Sequence, residues 1–114
     1  MPKKRDSAPA DFLASGHQWP SGQLVADAPP TARLGKELAV RLKQALQEQG
    51  LSARQVADAA QLRHPTVLRV LNGTVVPDGR TIIHLETALK TPLWPAGLHE
   101  HLTLPPAESG AAPS

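Results

Sequence analysis

The residues best equipped for chemistry in this 114-residue chain are basic. Between Asp58 and Asp78 there is no carboxylate, and that stretch carries Arg63, His64 and Arg69, with Arg54 and Arg80 on either side of it. A guanidinium offers a planar fork of donors that fits phosphate oxygens, or the O6 and N7 edge of guanine. A like-signed stretch is most often a solvated face, but an acid-free surface is also what a polyanion such as nucleic acid rewards. Other chemistries are poorly provided for. The chain has no cysteine, which removes disulfides, thiolate nucleophiles, iron–sulfur clusters and thiolate zinc sites together. His99 and His101 flank Glu100, but two ligands two residues apart diverge on a helix and no third is evident, so no metal site is expected. Asp58 and His84 make no Ser-His-Asp set with any serine, and neither a catalytic residue nor a cofactor is expected.

The elements that must hold these residues are written in the hydrophobic pattern. Ten of the twelve prolines lie in residues 1–30 or 92–114, which leaves residues 31–91 as the folding unit. Residues 1–30 show no sustained period of 3.6 or 2 and are expected to be a disordered Pro/Ala-rich arm; residues 103–114 are expected to be a plainer disordered tail. Phe12, Leu13, Trp19, Leu24 and Val25 are isolated in the arm, where they are either scattered apolar residues or a docking segment that folds on a partner. From residue 31 to residue 102 the pattern is helical. Leu34, Leu38, Leu42 and Leu46 recur every four residues, Lys36, Glu37 and Arg41 occupy the opposite face, and Gly50 closes the run.

A second helix opens at Ser52 and Gln55, a Ser-x-x-Gln capping box, with Leu51 and Val56 spaced as a hydrophobic staple. It can run only to about Ala60, because a third apolar pattern (Leu62, Val67, Val70, Leu71) begins at once. Pro65 is tolerated only in a first turn, so the third helix starts near His64 or Pro65 and ends at Asn72-Gly73, where Asn72 is suited to a left-handed conformation. Pro77-Asp78 announces a fourth helix with Asp78 as cap and Ile82, Ile83, Leu85 and Leu89 apolar; Thr91-Pro92 stops it. Leu93, Trp94, Leu98 and Leu102 make at most one more short turn or helix.

Two short helices joined by a tight turn, with the small Ala57 where they must cross and Ala60 a turn later, form a helix-turn-helix pattern. The run from Leu51 to Gly73, followed by Pro77 and the apolar Ile82, Ile83, Leu85, Ala88 and Leu89, resembles the phage-repressor and Cro-like (XRE-type) helix-turn-helix proteins. With the helix from Leu34 to Gln49 in front, the resemblance covers about residues 31–95. It implies an all-α, four- to five-helix, lambda-repressor-like domain. Two positions depart from the family's habit: Gln61 stands where glycine is usual in the turn, and Arg63 where serine or threonine usually caps the third helix.

The resemblance implies a DNA-binding transcriptional regulator, a repressor, whose third helix enters the major groove. Helical spacing puts His64, Pro65, Leu68 and Arg69 on its outward face as base-reading residues, with Arg69 the best placed for guanine. Phosphate contacts are expected from Arg54, Arg63, Thr66, Asn72, Thr74 and Arg80. Lys3, Lys4 and Arg5 would serve as a groove-following arm, but about 26 residues of chain separate them from the first helix, which counts against it. Double-stranded DNA is the expected partner. Reading enough base pairs calls for a homodimer, with Leu93, Trp94, Leu98 and Leu102 as its seam or else as a cover for the chain's own core. Two other readings compete: an antitoxin that grips a toxin through residues 12–25 and represses its own operon, and an interaction module that keeps the fold without binding DNA. No run approaches the length of a membrane span, and the N-terminus shows no apolar signal stretch; a cytoplasmic protein is expected.

Overall fold

The computed structural model describes residues 8–104. Four α-helices form its framework: α1 (Pro30–Gln49), α2 (Ala53–Ala60), α3 (His64–Asn72) and α4 (Gly79–Leu89). Single 3-10 turns lie at Pro9–Phe12 and Leu98–His101. Among the described residues no strand is formed; the one β-type pairing is an isolated antiparallel bridge between Leu13 and Leu24. The all-α expectation holds.

The amphipathic faces meet in one core. Leu38, Leu42, Ala45 and Leu46 of α1 pack with Val56, Ala57 and Ala60 of α2, Val67 and Val70 of α3, and Ile82, Leu85 and Leu89 of α4. Leu93 belongs to this core at 2% exposure, so it covers the chain's own helices and is not available to a dimer seam. Trp94, next to it, is 52% exposed. Ile83 also departs from its apolar reading: it is 55% exposed on α4, because Ile82 and Leu85 already fill the inward face.

Each helix end has a cause. α1 ends in Gly50 at φ 65°, and the Leu51 amide reaches back to the Leu46 carbonyl at 2.9 Å. α3 ends in the same way, but at Gly73 (φ 71°), not Asn72: the helix keeps Asn72 as its last residue and gives the left-handed position to the residue with no Cβ to clash. Asp78 caps α4 by accepting from the Thr81 amide at 2.8 Å. The last turn is a 3-10 turn, with His99 and His101 exposed on it.

The largest correction concerns the arm. Residues 1–7 lie outside the described residues, but residues 8–29 fold back on the helices as a strap. Phe12, Leu24 and Ala28 pack with Ala32 of α1 in a second small core, flanked by Leu13, Trp19 and Val25. Burying Phe12 alone contributes about 1.5–3 kcal/mol. Pro9 sits over Gly35 of α1 in the space a Cβ there would need. Arg33 of α1 holds the strap's far end, donating to the carbonyls of Val25 (3.4 Å) and Ala26 (3.3 Å). Lys36 and Glu37, expected on a solvent face, are half-buried for the same reason: they line a cleft with Gln23 and Leu24 of the strap. The strap's apolar residues pack without a period of 3.6 or 2, so its fold leaves no periodic signal in the sequence, unlike that of the helices. Of the expected tail at residues 103–114, residues 105–114 lie outside the described residues.

Candidate nucleic-acid interface

α2 packs on both α3 and α4, and its small residues Ala57 (1% exposed) and Ala60 (4%) are turned into the shared core. The α2 start is fastened reciprocally, since the Gln55 amide donates to Ser52 Oγ (3.1 Å) while the Ser52 amide donates to Gln55 Oε1 (2.8 Å). The turn that follows is Gln61-Leu62-Arg63. Gln61 takes φ 58°, ψ 44°, the left-handed conformation, at a cost of about 1 kcal/mol for a residue with a Cβ. Local bonds offset it: the Gln61 amide donates to Asp58 O (3.2 Å) and the Leu62 amide to Ala57 O (2.9 Å). The Ala60 carbonyl, left over at the end of α2, is met by His84 Nδ1 of α4 at 2.8 Å.

Arg63 is the residue before α3, in extended conformation, and its side chain makes no capping bond. Pro65, in the first turn, has no amide to leave unpaired, and the Thr66 amide donates to Arg63 O at 3.0 Å, so the missing Ser or Thr cap costs little here. Val67 and Val70 point inward, at 0% and 2% exposure. The residues expected to read bases lie on the other side: Pro65, Leu68 and Arg69 are exposed and His64 is half-buried. Of those expected at phosphates, Arg54, Arg63, Asn72, Thr74 and Arg80 are exposed, while Thr66 is half-buried. The Thr74 amide returns to the Arg69 carbonyl (3.1 Å), fixing the loop after α3. At the head of α4, the Asp78 carboxyl is held below the usual carboxylate range by the hydrogen bonds from Thr81, with a smaller contribution from the charge of Arg80.

One residue at this surface escaped the sequence reading. The Trp19 indole N–H donates to the Leu71 carbonyl at 2.9 Å, and its ring lies against Gly73. The Ala10 amide donates to the Gly73 carbonyl, also at 2.9 Å. The strap is therefore fastened to the C-terminal end of α3. An indole N–H seeks an acceptor when it is covered, and the last carbonyls of a helix lack partners, but no spacing in the sequence pairs the two across 52 residues. Lys3, Lys4 and Arg5 lie outside the described residues.

Residues 42–93, from the middle of α1 through α4 to Leu93, match the family model described as helix-turn-helix. The match supports the resemblance of this segment to the phage-repressor and Cro-like helix-turn-helix proteins. The match supports a DNA-binding regulator of the helix-turn-helix kind in general. The strap lies wholly outside the matched segment. No curated protein and no solved structure matches the chain. Among the described residues no helix is long and apolar enough to cross a membrane.

Proposed function

We propose that this protein is a sequence-specific transcriptional regulator, a repressor acting in the cytoplasm, that reads the major groove with α3. The observation that carries the reading is the sidedness of that helix. Val67 and Val70 anchor one face in the core, and Pro65, Leu68 and Arg69 stand free on the other, with Arg54, Arg63 and Arg80 exposed around them. Arg69 bridges guanine O6 and N7, His64 reaches a neighbouring base edge, and Pro65 and Leu68 touch thymine methyl groups. Arg54, Arg63 and Arg80, with Thr66, Asn72 and Thr74, position the domain on phosphates. The chain binds and performs no catalysis in this reading.

One such helix reads few base pairs, so two copies act on half-sites about one helical turn apart. The seam is the exposed Trp94 with the half-buried Leu34, Leu98 and Leu102, which line one shallow groove. The antitoxin reading loses support, because Phe12 (5% exposed) and Leu24 (9%) are already used inside the fold.

Selection of bound duplexes from random DNA supplies a preferred site for the test. Arg69→Ala is expected to lose about 1–3 kcal/mol on that site and to relax preference at one base position, with binding to random DNA little changed. Arg63→Ala is expected to weaken binding to every sequence and to lower the salt slope by about one contact. If Arg69→Ala leaves affinity and base preference intact, α3 is not the reading element.

A further inference from the structure

We propose that the strap is part of the reading apparatus and that Trp19 is a positioning residue for α3; this rests on the DNA-reading function proposed above. α3 has nine residues, about 14 Å of helix. Its fully buried anchors are Val67 and Val70, less than a turn apart, and its last turn adds only the partly buried Leu71, so the setting of its C-terminal end depends on what else holds that end. The C-terminal end has its own local closure for two carbonyls only: the Thr74 amide meets Arg69 O and the Gly73 amide meets Val70 O. The next carbonyl, Leu71 O, is closed by the Trp19 indole, and Gly73 O by the Ala10 amide. The Trp19 ring also fills the space beside Gly73 that any side chain there would occupy.

The strap is itself tied to α1, through Pro9 on Gly35 and through Phe12, Leu24 and Ala28 on Ala32. It therefore braces the end of the reading helix against the longest helix of the domain. Releasing that brace leaves the last turn held by Leu71 alone, and any tilt of the short helix about its buried valines moves the face that carries Pro65, Leu68 and Arg69. Hydrogen bonds to base edges weaken steeply once distance and angle depart from their narrow optimum, whereas charge attraction to phosphates falls off slowly. Loss of the brace should thus cost sequence preference more than it costs attraction to DNA.

Trp19→Phe keeps a ring over Gly73 and removes the donor. The variant and the wild-type chain are compared at a temperature where circular dichroism shows both folded, on the preferred duplex and on a random duplex. Trp19→Phe is expected to lower the ratio of specific to random affinity roughly three- to tenfold, the scale of one lost hydrogen bond, with the salt slope on random DNA unchanged. A ratio equal to that of the wild type, even with a lowered melting temperature, overturns the proposal and leaves Trp19 as packing alone. Should the variant not fold, the wild-type indole N–H resonances decide. The Trp19 signal is expected to shift more on the preferred duplex than on the random one, and equal shifts overturn the proposal. A wild-type chain with no preference for any duplex would overturn the DNA-reading function itself, a result distinct from preference retained in Trp19→Phe.

Discussion

In the helix-turn-helix, the ends of the helices are closed mostly by neighbours in sequence. Ser52 and Gln55 cap each other, Asp78 accepts from Thr81, and Gly50 and Gly73 turn the chain so that the next amide reaches back five residues. The strap attaches itself to the domain by the opposite means: Ala10 bonds Gly73, Trp19 bonds Leu71, and Pro9 rests on Gly35. Local closures form wherever their few residues come together, while the strap's bonds exist only after the helices have assembled. The strap should accordingly open at a lower free energy than the core it rests on.

That contrast is tested most severely at two glycines with similar backbones. Gly50 (φ +65°) has open space where a Cβ would go, and Gly73 (φ +71°) has the Trp19 ring. Gly50→Ala is expected to cost about 1–2 kcal/mol from the left-handed conformation alone. Gly73→Ala is expected to cost about 2–4 kcal/mol, since displacement of the ring is added to the same backbone term. Urea unfolding of the two variants measures both, and equal losses would mean that the strap does not press on α3.

Within the local half, the buried Ala57 tests how closely α2 packs on its neighbours. Ala57→Leu, at a position only 1% exposed, is expected to destabilise by roughly 1–3 kcal/mol through overpacking, although leucine is itself a good helix former. An unchanged thermal midpoint would place Ala57 outside that packing and undo the register assigned to the motif.

The smallest effect is the pH response of the α4 cap. The folded-state pKa of Asp78 lies below its ordinary value, so its contribution is fully present at neutral pH and above the usual carboxylate range, and is lost as pH falls through the depressed value. Thermal stability of the wild-type chain should therefore dip across that acidic window, and the difference from Asp78→Ala should shrink to nothing below it. The size is small because the carboxylate is exposed and solvent screens it.

Much of the site was legible because its signals are short-range. The Ser52–Gln55 box, the first-turn Pro65 and the Asp78 cap each state a local backbone requirement, and the inward spacing of Val67 and Val70 leaves Arg69 outward on a helix of known start. What failed depended on competition for space. Trp94 and Leu93 are adjacent and both apolar, yet only one finds room in the core, and Ile83 loses the same contest to Ile82. No pattern of residue types decides which of two neighbouring apolar side chains a packed interior accepts.

By itself the sequence determined four helices, the caps at Gly50, Ser52 and Asp78, the helix-turn-helix and the outward face of α3, since each follows from backbone sterics, capping bonds and a 3.6-residue period acting within a few residues. Tertiary structure alone decided which distant groups meet the leftover carbonyls. His84 goes to Ala60, Gln49 to Leu89 at 2.8 Å, and Trp19 to Leu71. It also decided that residues 8–29 fold. Their apolar residues have no partners along the chain and gain them only from the groove and helix end that the other four helices create, and that burial offsets the entropy of ordering an aperiodic segment.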